Sequence, residues 1–220
     1  NIEYHLLGNH LLANAKALIS CGIIFRNNEA KQWLKKGIKL FNKYIDKQTL
    51  HDGGHYERSP MYHSIVTKDI LDLLNVLNIK DEEFEIEFRK KLEEKLDKYM
   101  NWASYMNHPD NQTSFFGDTN FDASNSLEHL KNYYYAVKLK KYYFNEKREY
   151  FKQLISSGYI IIKKNAFKFI IDNGDATRLD QPGHTHAALL SYEMSLFDHR
   201  FIVNSGVSTY ENNHQRQFER

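Results

Sequence analysis

The spacing of the apolar residues changes once along the chain, just after Gly158, and a chain that changes period this way is neither a uniform helical bundle nor a uniform barrel. Before that point the repeat is helical. Leu7, Leu11, Ala15 and Leu18 mark a first helix, and a run from Glu29 puts Trp33, Leu34, Ile38, Phe41 and Ile45 on one side of a second. The third has a clear start signal, with Ser59 as cap and Pro60 at the first helical position, followed by a buried stripe of Tyr62, Ile65, Val66, Ile70, Leu73, Leu74 and Leu77. Asp81 opens a fourth with Phe88, Leu92, Leu96, Tyr99, Met100 and Ala103 inward; its Lys90, Lys91, Glu93, Glu94 and Lys95 form a solvated face. A fifth runs from Ser124 through Leu127, Leu130, Tyr134 and Val137, and a sixth is expected over Arg148 to Ser156. Beyond Gly158, strands are expected at Tyr159–Lys164, Phe167–Ile171, Leu189–Met194 and Phe201–Val203. The reading is therefore α+β, with a helical unit over 1–156 and the start of a sheet unit over 157–220. No fixed-period repeat is visible, although successive helix pairs would suit a toroid.

Bulk properties remove several classes of function. A net charge of only +2, with mixed signs along the chain, gives no field of the kind nucleic-acid binders carry. No apolar run approaches the roughly 18 residues of a membrane helix. Cys21 is alone, so no internal disulfide can form. The chain begins at Asn1 with neither Met nor a signal-peptide pattern, as a piece of a longer protein would.

Three clusters hold most of the unusual polar density: Gly8-Asn9-His10, the segment Asp52 to His63, and Gly183-His184-Thr185-His186. Asn9 and His10 open an apolar helix and could simply cap it. Asp52-Gly53-Gly54 is a turn that throws His55, Glu57 and Arg58 against the first turn of the third helix. Tyr62 sits in that turn, where the helix dipole and nearby cations would lower its pKa from about 10 and suit it to act as a base. A core tyrosine with a satisfied hydroxyl is the plainer alternative. His184 and His186 flank one residue, so on an extended strand both would face the same side as a metal half-site. The polar stretch 107–120 is long enough to be a functional loop. Among its residues Asp118 joins Asp52 and Glu57 as a carboxylate that a glycoside hydrolase could pair across a bond at roughly 5 to 10 Å.

In this order, and with the helix-to-sheet switch between the second and third, the clusters resemble the heparinase II/III-like polysaccharide lyases, a group that includes alginate lyases. The resemblance rests on Asn9-His10, on Asp52-Gly53 leading into Ser59-Pro60-Met61-Tyr62-His63, and on Phe116-Gly117-Asp118. It continues through His184-Thr185-His186 with Leu190-Ser191-Tyr192-Glu193, and through Phe201 to Gly206 with Thr209-Tyr210-Glu211. It implies an (α/α) toroid followed by an antiparallel β-sandwich, both incomplete here, and β-elimination on a polysaccharide containing a uronic acid. By the same resemblance Asn9 and His10 neutralise the substrate carboxylate, Tyr62 protonates the leaving oxygen and, for substrates whose geometry allows, also acts as base, and His184 or His10 takes or shares the base role on the other face. His55, Glu57, Arg58 and Asp118 are placed as substrate-binding or orienting residues. The family's structural zinc would fall on His186, with Asn204 where an aspartate is expected and a third ligand past Arg220. Asn204, and Ala188 in place of another aspartate, are the features that would suit a noncatalytic polysaccharide-binding or envelope-assembly relative. The remaining rivals are a glycoside hydrolase on the same toroid and a metal-dependent hydrolase built on His184 and His186. The partner implied is an acidic polysaccharide, with no nucleic acid and no membrane span, and the location implied is the periplasm or cell surface.

Overall fold

The computed structural model of the chain describes residues 2–25, 27–78, 83–120, 123–145, 147–174 and 182–219. Five helices come first: α1 (Gly8–Ile24), α2 (Asn28–Gln48), α3 (Pro60–Leu77), α4 (Glu83–Met106) and α5 (Leu127–Lys138). The expected start of the fourth, Asp81, lies outside the described residues. Strands β1 (Tyr150–Leu154), β2 (Tyr159–Lys164), β3 (Phe167–Asp172), β4 (Tyr192–Leu196) and β5 (His199–Ile202) follow, and a short α6 (His214–Glu219) comes last. The strands form one antiparallel sheet in chain order.

Local signals set the helix ends. Asn27 caps α2 through Ala30 N–H, Ser59 caps α3 through Tyr62 N–H, and Ser126 caps α5 through His129 N–H. The buried stripes interlock in one core that takes Leu12, Ile19, Phe41, Ile70, Leu74, Leu92, Leu96 and Leu130 from all five helices. A second, smaller core of Trp102, Met106, Phe116, Leu154, Tyr159, Ile161 and Ile170 joins the end of α4 to the sheet.

The helix expected over Arg148 to Ser156 is instead β1. Its residues alternate in burial, and Tyr150 to Leu154 pair with Lys163 to Tyr159. The turn that closes this hairpin ends at Gly158, whose φ of +81° only glycine adopts readily and whose Cβ would lie 2.2 Å from Gly174 Cα. Cross-strand pairing thus overrides the helical spacing of a short segment. The sheet begins at Tyr150, ahead of the period change near 157. The later strands also slide from their expected places, because Leu190 turns the chain at φ +64° before β4.

One face of the sheet packs on the helices. The other carries the row Phe151, Ile162, Phe169, Met194, Ile202 across all five strands. An apolar row of that length is the surface a second sheet covers in a sandwich.

The joint between helices and sheet is polar as well as apolar. Asp52 accepts from Ser157 N–H at 2.7 Å and from Gly54 N–H at 3.1 Å, and Trp102 Nε1 donates to Ser157 Oγ at 2.9 Å. A Cβ on Gly54 would stand 2.6 Å from Trp102 Nε1, so the Asp-Gly-Gly turn is a close-packed hinge piece. Deeper in the joint, buried Glu193 of β4 accepts from His108 Nε2 at 3.0 Å, from Arg200 Nη1 at 3.3 Å and from Phe115 N–H. His108 Nδ1 meets Ser195 Oγ at 2.6 Å. Since a carboxylate only accepts, Nε2 carries the hydrogen and Nδ1 receives the serine hydroxyl. This network fixes the stretch 107–115, and with it the position of Asp118 three residues further on.

Candidate active site

Helix α1 has no cap of its own. Leu7 and Gly8 enter it at φ +53° and +59°, and its first N–H groups are satisfied by the segment that precedes α3. Gly8 N–H donates to Tyr56 Oη at 2.8 Å and Asn9 N–H to Glu57 Oε1 at 3.0 Å. Asn9 Nδ2 adds a bond to Glu57 Oε2 at 3.0 Å, so the buried carboxylate stands at the positive end of the helix. Gln48, at the end of α2, donates to Gly8 O at 2.8 Å and meets His55 Nε2 at 3.0 Å. The first two sequence clusters are therefore in contact.

His55 and His63 lie beneath them, both buried. His55 N–H donates to His63 Nδ1 at 3.1 Å, and His63 Nε2 donates to Tyr99 O at 2.9 Å, which fixes the His63 tautomer. Burial is the main cause that pushes His63 down to about 3. It also pushes His55 down to about 4, with His184 adding to it and Glu57 opposing. His55 Nδ1 is 3.5 Å from Glu57 Oε2 without a hydrogen bond between them. Both rings are neutral at neutral pH and serve as packing pieces. Arg58 turns the chain at φ +59° and its carbonyl accepts from Tyr159 Oη at 2.7 Å, so it anchors the sheet to the start of α3.

The Ser59 cap does more than start α3. Its hydroxyl donates to Asp118 O at 2.7 Å and so ties Tyr62 to the 107–120 stretch. The Tyr62 ring stacks on His184, with centroids 3.8 Å apart and planes at 23°. Tyr62 Oη donates to Tyr210 Oη at 3.2 Å. The expected lowering of the Tyr62 pKa is reversed here. Burial raises it first, and the Asp118 and Glu57 carboxylates add to the rise, while Tyr210 and Arg216 oppose it without winning. The phenol is held in its protonated form.

Asp118 is the hub. It is fully buried and accepts from His184 Nδ1 at 3.0 Å, His186 Nε2 at 2.8 Å and Arg216 Nη2 at 3.1 Å. Burial alone would raise its pKa, but the two imidazole bonds and the guanidinium more than offset this and hold it far below the usual carboxylate range. An ionised Asp118 donates nothing, so both histidine tautomers follow from it. His184 bears hydrogen on Nδ1 and a lone pair on Nε2; His186 is the reverse. Gly117 makes the approach possible, with φ +60° and a Cβ that would sit 2.6 Å from His184 O.

His184 and His186 do not share a strand face, as their spacing suggested. His184 ends a 3-10 turn, Pro182–His184, and His186 lies in the loop before β4. Their common partner is Asp118. His186 Nδ1 is buried without a hydrogen-bond partner, and an imidazole whose other nitrogen is fixed by a carboxylate is the usual form of a metal ligand. Asn204, however, gives its amide to Ser191 Oγ at 3.2 Å. Among the described residues no group of three His, Cys, Asp or Glu converges as a metal site. His186 fits a zinc; the rest of the expected set is not assembled among these residues.

His10 is not drawn into the group. Half-exposed, it faces Glu3 with Nδ1 3.6 Å from Oε2. Two residues that sequence reasoning did not assign are brought in: Tyr210, and Arg216, whose guanidinium lies 4.7 Å over the Tyr210 ring while bonding Asp118. Tyr210 stood in a recognisable motif; Arg216, in a six-residue helix, carried no signal.

A helical array closed by an antiparallel sheet, with an oriented histidine and a protonated tyrosine stacked where the two meet, is the architecture of the heparinase-type helical-toroid fold. Residues 1–150 match the heparinase II/III N-terminus and 146–220 the heparinase II/III-like C-terminal region, and the chain belongs to the heparinase II/III-like family. It is 32% identical over 131 residues to a heparin-sulfate lyase of Bacteroides stercoris, covering 59% of this chain and 19% of that protein. Against the heparin-sulfate lyase of Pedobacter heparinus the figures are 30% over 118 residues, 53% and 18%. Its fold superposes on a crystal structure of heparinase III with a TM-score of 0.79 at 20% identity, over 99% of this chain and 38% of that one. On the heparan sulfate lyase of P. heparinus the TM-score is 0.69 at 20% identity, over 97% and 36%. The chain thus spans about a fifth of the length of these curated relatives. The expected fold class, helical toroid followed by an antiparallel sheet unit, is the one found.

Proposed function

We propose that the protein is a polysaccharide lyase that cleaves a uronic-acid-containing polysaccharide by β-elimination, with a heparan-sulfate-like chain as the substrate class suggested by its relatives. The observation that carries this reading is the stacked Tyr62–His184 pair with His184 Nδ1 held by buried Asp118. In elimination the C5 proton leaves to a base, the C4–O bond breaks, a C4–C5 double bond forms, and the departing oxygen takes a proton. His184 Nε2 supplies the lone pair and keeps 19% of its side chain exposed to a substrate. Tyr62, protonated and half-buried, supplies the proton to the leaving oxygen. Asn9 Nδ2, held against both Glu57 oxygens at 3.3 and 3.0 Å, is the amide donor this reading assigns to the substrate carboxylate as charge moves onto it. His10 is left a subsidiary part in this scheme. No step runs through zinc; a zinc bound at His186 would brace the loop that carries His184.

The hydrolase alternative is weakened by how the three carboxylates are used. Asp52 holds the sheet joint, Glu57 caps α1, and Asp118 accepts three donors. Asn204 and Ala188 still favour a noncatalytic binding relative over other rivals, and location at the periplasm or cell surface is proposed by analogy alone. The test follows ultraviolet absorbance of the unsaturated uronate over a panel of acidic polysaccharides. A rise abolished in Tyr62→Phe and His184→Ala supports the lyase. New reducing ends without absorbance would mean hydrolysis, and binding with neither signal would mean the noncatalytic relative.

A further inference from the structure

Helix α2 carries Lys31, Lys35, Lys39, Lys43 and Lys47 at a constant interval of four, which places them on a single ridge of the helix surface. At ~1.5 Å per residue the ridge runs for about 24 Å. All five side chains are exposed, with Lys36 beside them, while Ala30, Leu34, Gly37, Phe41 and Ile45 are buried on the opposite side. Among the described residues none of the five is ion-paired; Lys43 and Lys47 lie over the Tyr44 ring at 5.2 and 6.0 Å. The acids of α2 are Glu29 and Asp46. Asp46 is engaged by Lys91 at 2.6 Å and Lys95 at 2.9 Å, so it brings two more ammonium groups to the flank of the ridge.

Such a ridge is not the ordinary surface of this protein. On α4 acids and bases interleave, and Glu93 pairs with Lys138 of α5. Like charges at i,i+4 are destabilising, and α2 has four such pairs in a row. Solubility needs charge, not a one-signed line of it. The ridge also has a direction: Lys47 adjoins Gln48, whose amide touches Gly8 and His55 at the base of the candidate active site.

We propose that the α2 lysine ridge is a secondary binding surface for an acidic polysaccharide, which holds a long chain outside the cleft and leads it toward the Asn9–Tyr62 end. Flexible ammonium groups suit a polymer whose carboxylates and sulfates vary in position, because each is a point charge rather than a fixed fork. The polymer's identity rests on the lyase reading; the ridge's capacity for a polyanion does not.

The test compares K31Q/K35Q/K39Q/K43Q with a control of equal charge change, K140Q/K141Q/K147Q/K164Q, both in a Y62F background so that bound chains are not consumed. Dissociation constants are measured for long heparan sulfate and for a tetrasaccharide across a salt series. The ridge variant should bind the long chain at least ~10-fold more weakly, with a log–log salt slope shallower by up to ~3–3.5 for four contacts at about 0.7–0.9 each, as for nucleic acids. Its tetrasaccharide affinity and Tm should be unchanged or, for Tm, higher. Equal weakening in the control, or an unchanged long-chain affinity in the ridge variant, overturns the proposal. Because this readout needs no turnover, failure of the lyase reading would appear separately, as absence of unsaturated product from the protein with Tyr62 intact.

Discussion

Asp118→Asn is the most informative single change, because one buried carboxylate sets the tautomers of two histidines. An asparagine at this site offers one acceptor oxygen where the carboxylate offers two, and it adds an N–H that must face one imidazole. Either His184 loses its Nδ1 partner and is free to turn its lone pair away from the substrate, or His186 does. Hydrogen bonds to charged groups contribute about 1.5–3 kcal/mol each, and Arg216 keeps its bond to Thr209 O, so a loss of roughly 2–4 kcal/mol of stability is expected. For a chain of this size that lowers Tm by about 5–15 °C. The kinetic cost is larger. Loss of the orienting carboxylate from a serine-protease triad costs about 10⁴ in kcat through the wrong tautomer, and a fall of roughly 10³–10⁴ is expected here with KM changed only a few-fold. Initial rates from the unsaturated product, with urea unfolding of the same samples, measure both. Adding His184→Ala to Asp118→Asn should cost little more, since both remove one function. A folded Asp118→Asn protein with kcat within about tenfold of the parent would refute Asp118 as the group that orients the base.

Two further outcomes follow from buried groups. His55 and His63 have folded pKa values of about 4 and about 3 against an ordinary value near 6.5, so the unfolded chain takes up protons first as pH falls. Stability should therefore fall from about pH 6.5 downward with a slope of up to ~1.4 kcal/mol per pH unit for each ring, and His63→Gln should flatten it in urea titrations at several pH values. Glu193→Gln breaks a buried network at the joint, with Arg200 and His108 left facing a neutral amide; unfolding experiments should show a loss of about 3–5 kcal/mol. The same variant should weaken kcat as the loop that carries Asp118 loosens.

The chain announces its fold more openly than its site. Ser59-Pro60 and the stripe from Tyr62 to Leu77 place α3 correctly because capping and helical periodicity are local properties. Helix α1 starts at Gly8, where Asn9 and His10 were read as opening it, but the partners of its first N–H groups were not legible, since they are Tyr56 and Glu57 from far along the chain. Strand β1 was illegible for a similar reason: five residues carry too little pattern, and their partner lies across the Gly158 turn. Tyr62, His184, Asn9 and Asp118 could be named from motifs, but their mutual roles could not. The Tyr62 pKa moves opposite to the dipole argument because burial, which the local pattern does not reveal, raises it first, with the Asp118 and Glu57 carboxylates adding to the rise.

That reversal separates two uses of the same tyrosine. If Tyr62 acted as the base, only its deprotonated form would work, and with a pKa raised above 10 that fraction would grow about tenfold for each pH unit from 7 to 9. As the acid, Tyr62 is already almost fully protonated over the whole of that range, so its own titration contributes no change in rate. A kcat profile from pH 7 to 9 therefore decides between them. A curve without a tenfold-per-unit rise supports proton donation to the leaving oxygen, with His184 taking the C5 proton. A sustained rise of that slope, lost in Tyr62→Phe, would assign both proton transfers to the tyrosine and reduce His184 to a stacking partner that holds its ring.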